Sequence, residues 1–245
     1  MCTVILRVPS VPGRPVRMLA VRDEDPSRPW QPLGPWWPDE HPGVVGVRDV
    51  RAGGAWLAAS ERRLAVLVNR ASPPVPDHLA PVSRGLIVLD AASGRPPRPT
   101  PAVPGFNLVD ITADGVLLIS WDGKLERRVG VPPGTHMIAH DDLDDARTPR
   151  IGAWLDDFAV ASTKEVGTAS EPAWADEWLG IIARSALLGP VDERAIIRDN
   201  RPLGYPTRSL LLCAASVGPR GVDVRYAQLE RPGRWNAPVF SPPRA

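Results

Sequence analysis

Met1-Cys2-Thr3-Val4-Ile5-Leu6 opens the chain, and the reading of this stretch decides the rest. Cys2 is small enough for an initiator Met before it to be trimmed. Trimming would leave one residue carrying both a thiol and a free α-amine. The amine titrates near ~8 and a free thiol near ~8.5, so both stand close to working pH. An N-terminal amine can act as general base for its own side chain. Thr3-Val4-Ile5-Leu6 is β-branched and apolar, the pattern of a buried strand. Such a strand gives a reacting sulfur a rigid support. The plainer reading is a small residue that happens to follow Met, and the dipeptide alone does not separate the two.

At 245 residues with 43% hydrophobic content, the chain is long enough for one well-buried α+β domain spanning 1–245. Lys and Arg number 29 against 28 Asp and Glu, so the net charge of +1 gives no general pull on nucleic acid or an anionic membrane. Two cysteines, Cys2 and Cys213, make no disulfide framework and suit a reducing compartment. No apolar run reaches membrane-spanning length, and the signal-peptide pattern is missing, so the expected location is cytoplasmic.

Thr3–Val8 and Val16–Val21 read as a hairpin around the Pro- and Gly-rich turn 9–15. Its second strand delivers Arg22-Asp23-Glu24-Asp25 beside the start of Cys2. The stretch Gln31–Asp49, rich in Pro and Gly with Trp36-Trp37, reads as a long loop, either packed on the sheet or walling a pocket. Residues 53–60 and 64–69 form a second hairpin, with Asn69 at the strand end. Its amide can donate to an oxyanion or start a turn. Ser83–Asp90 reads as a Ser-capped helix, followed by a Pro-rich loop. Strands follow at 106–111, 115–120, 124–129 and 135–140. Helices are predicted from Thr148-Pro149 to Ala161 and from Ser170 to Leu188. Residues 192–202 read as a charged surface segment. Strands at 210–215 and 222–229 precede a Pro-rich tail from Arg231, laid on the surface.

The acidic run Asp141-Asp142-Leu143-Asp144-Asp145 lacks the Gly and final Glu of a calcium loop and reads as solvated. His136 and His140, four apart on a strand, would stand ~14 Å from each other, too far to share a metal. No metal site is expected.

Several blocks together carry a resemblance: Met1-Cys2, Ala20-Val21-Arg22-Asp23-Glu24, Arg28-Pro29, Gly53-Gly54-Ala55-Trp56-Leu57, Leu67-Val68-Asn69, Ser83-Arg84-Gly85, Gly105-Phe106-Asn107-Leu108 and Thr207-Arg208-Ser209. In this order the chain resembles the NRDE-motif family, also called the transport and Golgi organisation family. Val21 stands where the motif has Asn, and Ala139-His140-Asp141 stands where the family has Ser-Asn.

The resemblance implies an N-terminal-nucleophile hydrolase-like fold, a four-layer αββα sandwich of two antiparallel sheets, similar to that of bile-salt hydrolases and penicillin V acylases. It implies a cysteine hydrolase cutting a C–N amide bond of a small acylated substrate. Cys2 would be the nucleophile and Arg22 would lower its pKa. Asp23 or Asp25, with Glu24 as a further option, would orient the amine; Arg22 and Asp25 have the spacing of the acylase group. Asn69 would hold the oxyanion and Arg208 would pair with a carboxylate. This reading needs no cofactor. The rival implication is non-catalytic haem trafficking, or a role in lipid or acyl-coenzyme A metabolism. Haem is then the ligand, with Cys2, His41, His78, His136 and His140 as axial candidates.

Overall fold

The computed structural model describes residues 2–161, 163 and 173–244. β1 (Thr3–Val8) and β2 (Val16–Glu24) lie inside a five-stranded antiparallel sheet. Its order is β10 (Gly134–Ile138), β1, β2, β11 (Arg208–Gly218), β12 (Gly221–Gln228). A second, seven-stranded antiparallel sheet runs in chain order: β3 (Trp30–Gly34), β4 (Val45–Asp49), β5 (Ala55–Ala59), β6 (Arg63–Asn69), β7 (Phe106–Thr112), β8 (Gly115–Trp121) and β9 (Glu126–Gly130).

Strand alternation sorts the core into three layers. Cys2, Val4, Leu6, Met18, Ala20 and Cys213 of the first sheet pack against Leu57, Val66, Val68, Val109 and Ile111 of the second. The opposite face of the first sheet, with Ile5, Leu19 and Leu212, is covered by α2 (Pro149–Val160) and α3 (Asp176–Ala186). The outer face of the second sheet, with Leu67, Phe106 and Leu108, is covered by α1 (Gly85–Ala92). The order helix, sheet, sheet, helix is the four-layer α+β sandwich that the family resemblance implies. Trp178 anchors the α2–α3 layer, edge-on to Phe158 at 5.6 Å and to Trp174 at 5.8 Å. Such pairs add about 0.5–1.5 kcal/mol each beyond burial.

Five expectations are corrected. Gln31–Asp49 is not one loop, because β3 and β4 lie at its two ends. β3 is an edge strand, where Pro32 removes no needed ladder bond. β2 continues to Glu24, so Arg22 and Asp23 sit within a paired strand and not beyond it. β10 stops at Ile138, leaving His140 in the segment that follows. The helix start expected at Ser170 lies outside the described residues; α3 begins at Asp176 after a short 3-10 turn and ends before Leu188. The segment 192–202 is not simply a surface stretch. Ala195 is buried, Ile196 and Ile197 are buried against α2 and α3, and Arg198 and Asn200 are buried beside β2. Its outward charges pair locally, as Arg194 does with Asp192 at 2.7 Å, which leaves the apolar residues to turn inward.

Candidate active site

Cys2 precedes β1 on the face turned toward the second sheet and is buried. Its Sγ accepts a hydrogen bond from the Asp23 backbone N–H at 3.3 Å and lies 3.6 Å from the Asp23 carbonyl. Arg22 is on the same inter-sheet parity as Ala20 and Met18, while Asp23 faces the helix side. The two groups expected to serve Cys2 therefore reach it from opposite sides of β2.

The Asp23 carboxylate is held by residues from the end of the chain. Pairing of β2 with β11 sets Ser209 opposite Asp23, and the Ser209 hydroxyl donates to Asp23 Oδ1 at 2.6 Å. The Ser209 oxygen in turn accepts from the Arg198 backbone N–H at 2.8 Å. Asn200 Nδ2 donates to Asp23 Oδ2 at 3.4 Å and to Thr207 Oγ1 at 3.1 Å. Arg198 Nε donates to Asn200 Oδ1 at 2.9 Å. A buried carboxylate needs such partners, because desolvation without them costs several kcal/mol.

Guanidinium groups surround this end of the sheet. Arg22 is buried, lies 3.6 Å from Glu24, and has an Nη1 with no hydrogen-bond partner. Arg84 donates to the Gly105 carbonyl at 3.0 Å and is near enough to Cys2 and Glu24 to feel their charges. A glycine contact brings it there: a Cβ on Gly54 would meet Gly85 backbone at 2.5 Å, so α1 can start only against a bare backbone. Arg150, in the first turn of α2, is fully buried among Asp23, Arg198 and Cys2. Burial lowers its pKa to about 10.

The Cys2 thiol is pushed up by burial and by the Asp23 charge, and the smaller pull of Arg22 and the Asp23 N–H does not reverse this. Arg22, which the resemblance implies lowers the thiol pKa, is the smallest of the causes acting on it. The net upward direction favours the protonated thiol at neutral pH.

Among the expected acids, Asp23 is the one brought against Cys2. Asp25 lies in the turn after β2, where it accepts from the Ser27 N–H at 2.9 Å and hydroxyl at 2.8 Å; these bonds hold its carboxyl below the usual range. Asn69 is exposed at the end of β6, on the parity of helix-facing Leu67 and one step past inter-sheet Val68. Arg208 begins β11 opposite Glu24, and its Nε is buried without a hydrogen-bond partner.

Asn107 was missed as a functional candidate. It is wholly buried and donates to the Ala139 carbonyl at 3.1 Å and the Asp141 carbonyl at 2.7 Å, while accepting from Ser120 Oγ at 2.7 Å. It thereby ties the second sheet to the segment carrying His140. The available signal was a lone amide inside the apolar run Phe106-Asn107-Leu108-Val109. For Arg150, Asn200 and Ser209 nothing in the local sequence marks the role, since their contacts are long-range.

The histidines are scattered. His41 meets Ser93 at 2.9 Å and Arg95 at 2.8 Å, His78 is exposed, and His136 has Asp144 at 2.6 Å and the Pro132 carbonyl at 2.9 Å. His140 is different. Its Nε2 lies 3.3 Å from Asp141, its Nδ1 is buried without a hydrogen-bond partner, and burial followed by the charges of Arg150 and Arg198 holds it toward the neutral form against the pull of Asp141. Among the described residues no group of three or more His, Cys, Asp or Glu side chains could hold a metal ion. Among them, too, no helix is long and apolar enough to cross a membrane.

Residues 1–195 match the family described as Transport and Golgi organisation 2. The chain belongs to the transport and Golgi organisation family. The matched span contains Cys2, Arg22, Asp23, Arg84, His140 and Arg150. Arg198, Asn200 and Ser209, which hold Asp23 in place, come from beyond it. No curated protein matches the chain.

Proposed function

We propose that this member of the family is a cysteine hydrolase that cuts the C–N amide bond of a small acylated substrate, with Cys2 as an N-terminal nucleophile after loss of Met1. The observation that carries the reading is the burial of Cys2 between two sheets beside a fully hydrogen-bonded, buried Asp23. In this reading the Cys2 thiol gives its proton to its own α-amine as the sulfur attacks the carbonyl carbon. Asp23 holds the resulting ammonium in place. The tetrahedral oxyanion collapses, the C–N bond breaks, and the ammonium protonates the leaving nitrogen. Water then attacks the thioester and loses its proton to the same amine, the C–S bond breaks, and the ammonium returns that proton to the departing sulfur. Removing one oxyanion donor would cost roughly 3 kcal/mol. Asn69, the donor that the resemblance implies, would have to turn in from its exposed, helix-facing position at the end of β6. His140 is a second candidate, since extending the β1–β10 pairing past Val4 and Ile138 brings it level with Cys2. Arg208 pairs with Glu24 in this scheme and keeps that carboxylate from Cys2.

The test has two parts. Intact mass reports whether Met1 is removed, and an amide library reports turnover by wild type and by Cys2→Ala. Turnover lost in Cys2→Ala supports the reading; retained Met1, or equal turnover by both proteins, sinks it.

A second reading is a ligand carrier without chemistry, and the raised pKa of Cys2 favours it. Haem is the ligand named by that reading. Of the five candidate ligands, His136 has both ring nitrogens engaged, whereas Cys2 and the unpartnered Nδ1 of His140 lie at the same end of the first sheet. A Soret shift on haem titration, lost in His140→Ala, is its expected signature; an unchanged spectrum rules it out.

A further inference from the structure

At the end of the first sheet away from Cys2, the turns β1–β2 and β11–β12 lie side by side, because Val16 pairs with Val217. They frame a cavity of about 800 Å³ whose lining includes Arg7, Arg14, Arg17, Arg220, Ser216 and Thr163. Four guanidinium groups line it, and no carboxylate does among the described residues.

The arrangement breaks a rule of sheet pairing. Arg7 and Arg17 are direct cross-strand partners, and Arg17 is paired on its other side with Ser216. Like charges directly opposite each other destabilise a sheet. Part of the repulsion is absorbed: Arg7 donates to the carbonyls of Phe158 at 2.8 Å, Ala159 at 3.1 Å and Ala161 at 3.0 Å, at the negative end of α2, and Arg17 lies 5.1 Å from the centre of the Trp174 ring. Asp223, the next residue in the same cross-strand row, lies 3.4 Å from Arg225. Arg14 and Arg220, on the two turns, are exposed, and their side chains make no hydrogen bond or ion pair among the described residues. The inward pair is fixed by the sheet, and the outer pair is free to close over a ligand.

We infer that this cavity is a binding site for a polyanion, and specifically for a phosphate-bearing ligand. Guanidinium matches phosphate oxygens in a two-pronged geometry, and clustered cations in a concave site focus the field on an anion. The Ser216 hydroxyl, in the same row, is available as a neutral donor. From Cys2 to Arg7 the chain advances ~17 Å along β1, and Arg7 faces the helices while Cys2 faces the second sheet. The site is therefore separate from the thiol, and Cys2→Ser leaves it intact.

The probe is inorganic pyrophosphate, titrated by calorimetry into the full chain at low ionic strength. One-to-one binding is expected, weakened at least tenfold by Arg14→Ser with Arg220→Ser and weakened by added salt. Both residues are exposed on turns, and circular dichroism checks that the fold survives. Arg51→Ser with Arg231→Ser removes the same charge elsewhere and is expected to change nothing. Absence of pyrophosphate binding, or equal weakening by the control pair, overturns the inference. Vesicles of phosphatidic acid in phosphatidylcholine separate the two sources of phosphate. Sedimentation with them that needs Arg14 and Arg220 and is competed by pyrophosphate assigns a lipid headgroup. Pyrophosphate binding without sedimentation assigns a soluble phosphorylated ligand.

Discussion

Cys2 and Cys213 are the two thiols of one sheet, both buried on the face toward the second sheet, and both pushed up in pKa chiefly by burial. Their rows differ. Cys213, in the middle of β11, is opposite Ala20 on one side and Tyr226 on the other. Two residues further along β2 stand Arg22 and the Asp23 N–H that reaches the Cys2 sulfur. Burial by itself makes a sulfur inert. The Arg22 charge reaches both thiols, so what separates a candidate nucleophile from a core residue here is one backbone donor and a carboxylate network within reach of a residue at the end of its strand.

The contrast can be broken most strongly by Asp23→Asn. Removing one charge of a buried ionic network costs about 3–5 kcal/mol. The variant is expected to unfold at markedly lower denaturant and to lose any Cys2-dependent turnover. An unchanged denaturation midpoint would show that Asp23 is not the centre of the network. Next in size, Ser209→Ala and Asn200→Ala each leave a carboxylate oxygen one donor short, at about 1–3 kcal/mol. The same denaturation series measures this, and equal values for Asp23→Asn alone and combined with Ser209→Ala would confirm that they act as one unit.

Cys213→Ala sharpens the contrast from the other side. It is expected to cost about 1 kcal/mol of packing and to leave electrophile labelling of the protein unaltered. A lost adduct would mean that the wrong thiol has been assigned.

The smallest effect concerns His136. Its pKa is raised by the hydrogen bond that its Nδ1 donates to the Asp144 carboxylate, so this pair stabilises the fold fully below the unfolded value of about 6.5 and the contribution fades as pH rises through the folded pKa. Asp144→Asn is therefore expected to destabilise more in acid than in alkali, by under about 1 kcal/mol for a partly exposed pair. Paired thermal melts on either side of that range test it, and equal losses at both would contradict it.

Much of the layering was legible from residues in isolation. Thr3–Val8, the hairpin 55–69 and the three strands 106–130 carry their own periodicity and turns, and the layer order follows the family resemblance. The strands β3 and β4 were hidden because Pro32, Gly34 and Gly46 are tolerated at an edge and at a close backbone approach: a Cβ on Gly46 would meet the Leu57 carbonyl at 2.7 Å. Cys2, Arg22 and Asp23 could be named because they are near in sequence once a hairpin is drawn. Ser209 and Asn200 could not: the β2–β11 register brings Ser209 to Asp23 across 186 residues, and the bridge of Asp199 to Arg208 brings Asn200 across 177. Asp25 drew attention by spacing alone, and the Asx turn at Ser27 shows the local use of that carboxylate.

The most direct test is intact-mass analysis of purified protein, before and after a limited dose of an alkylating electrophile, with the adduct located by peptide mapping. The account predicts a chain lacking Met1, one adduct on Cys2, and an untouched Cys213. A chain that keeps Met1, or an adduct on Cys213 with Cys2 bare, would contradict it.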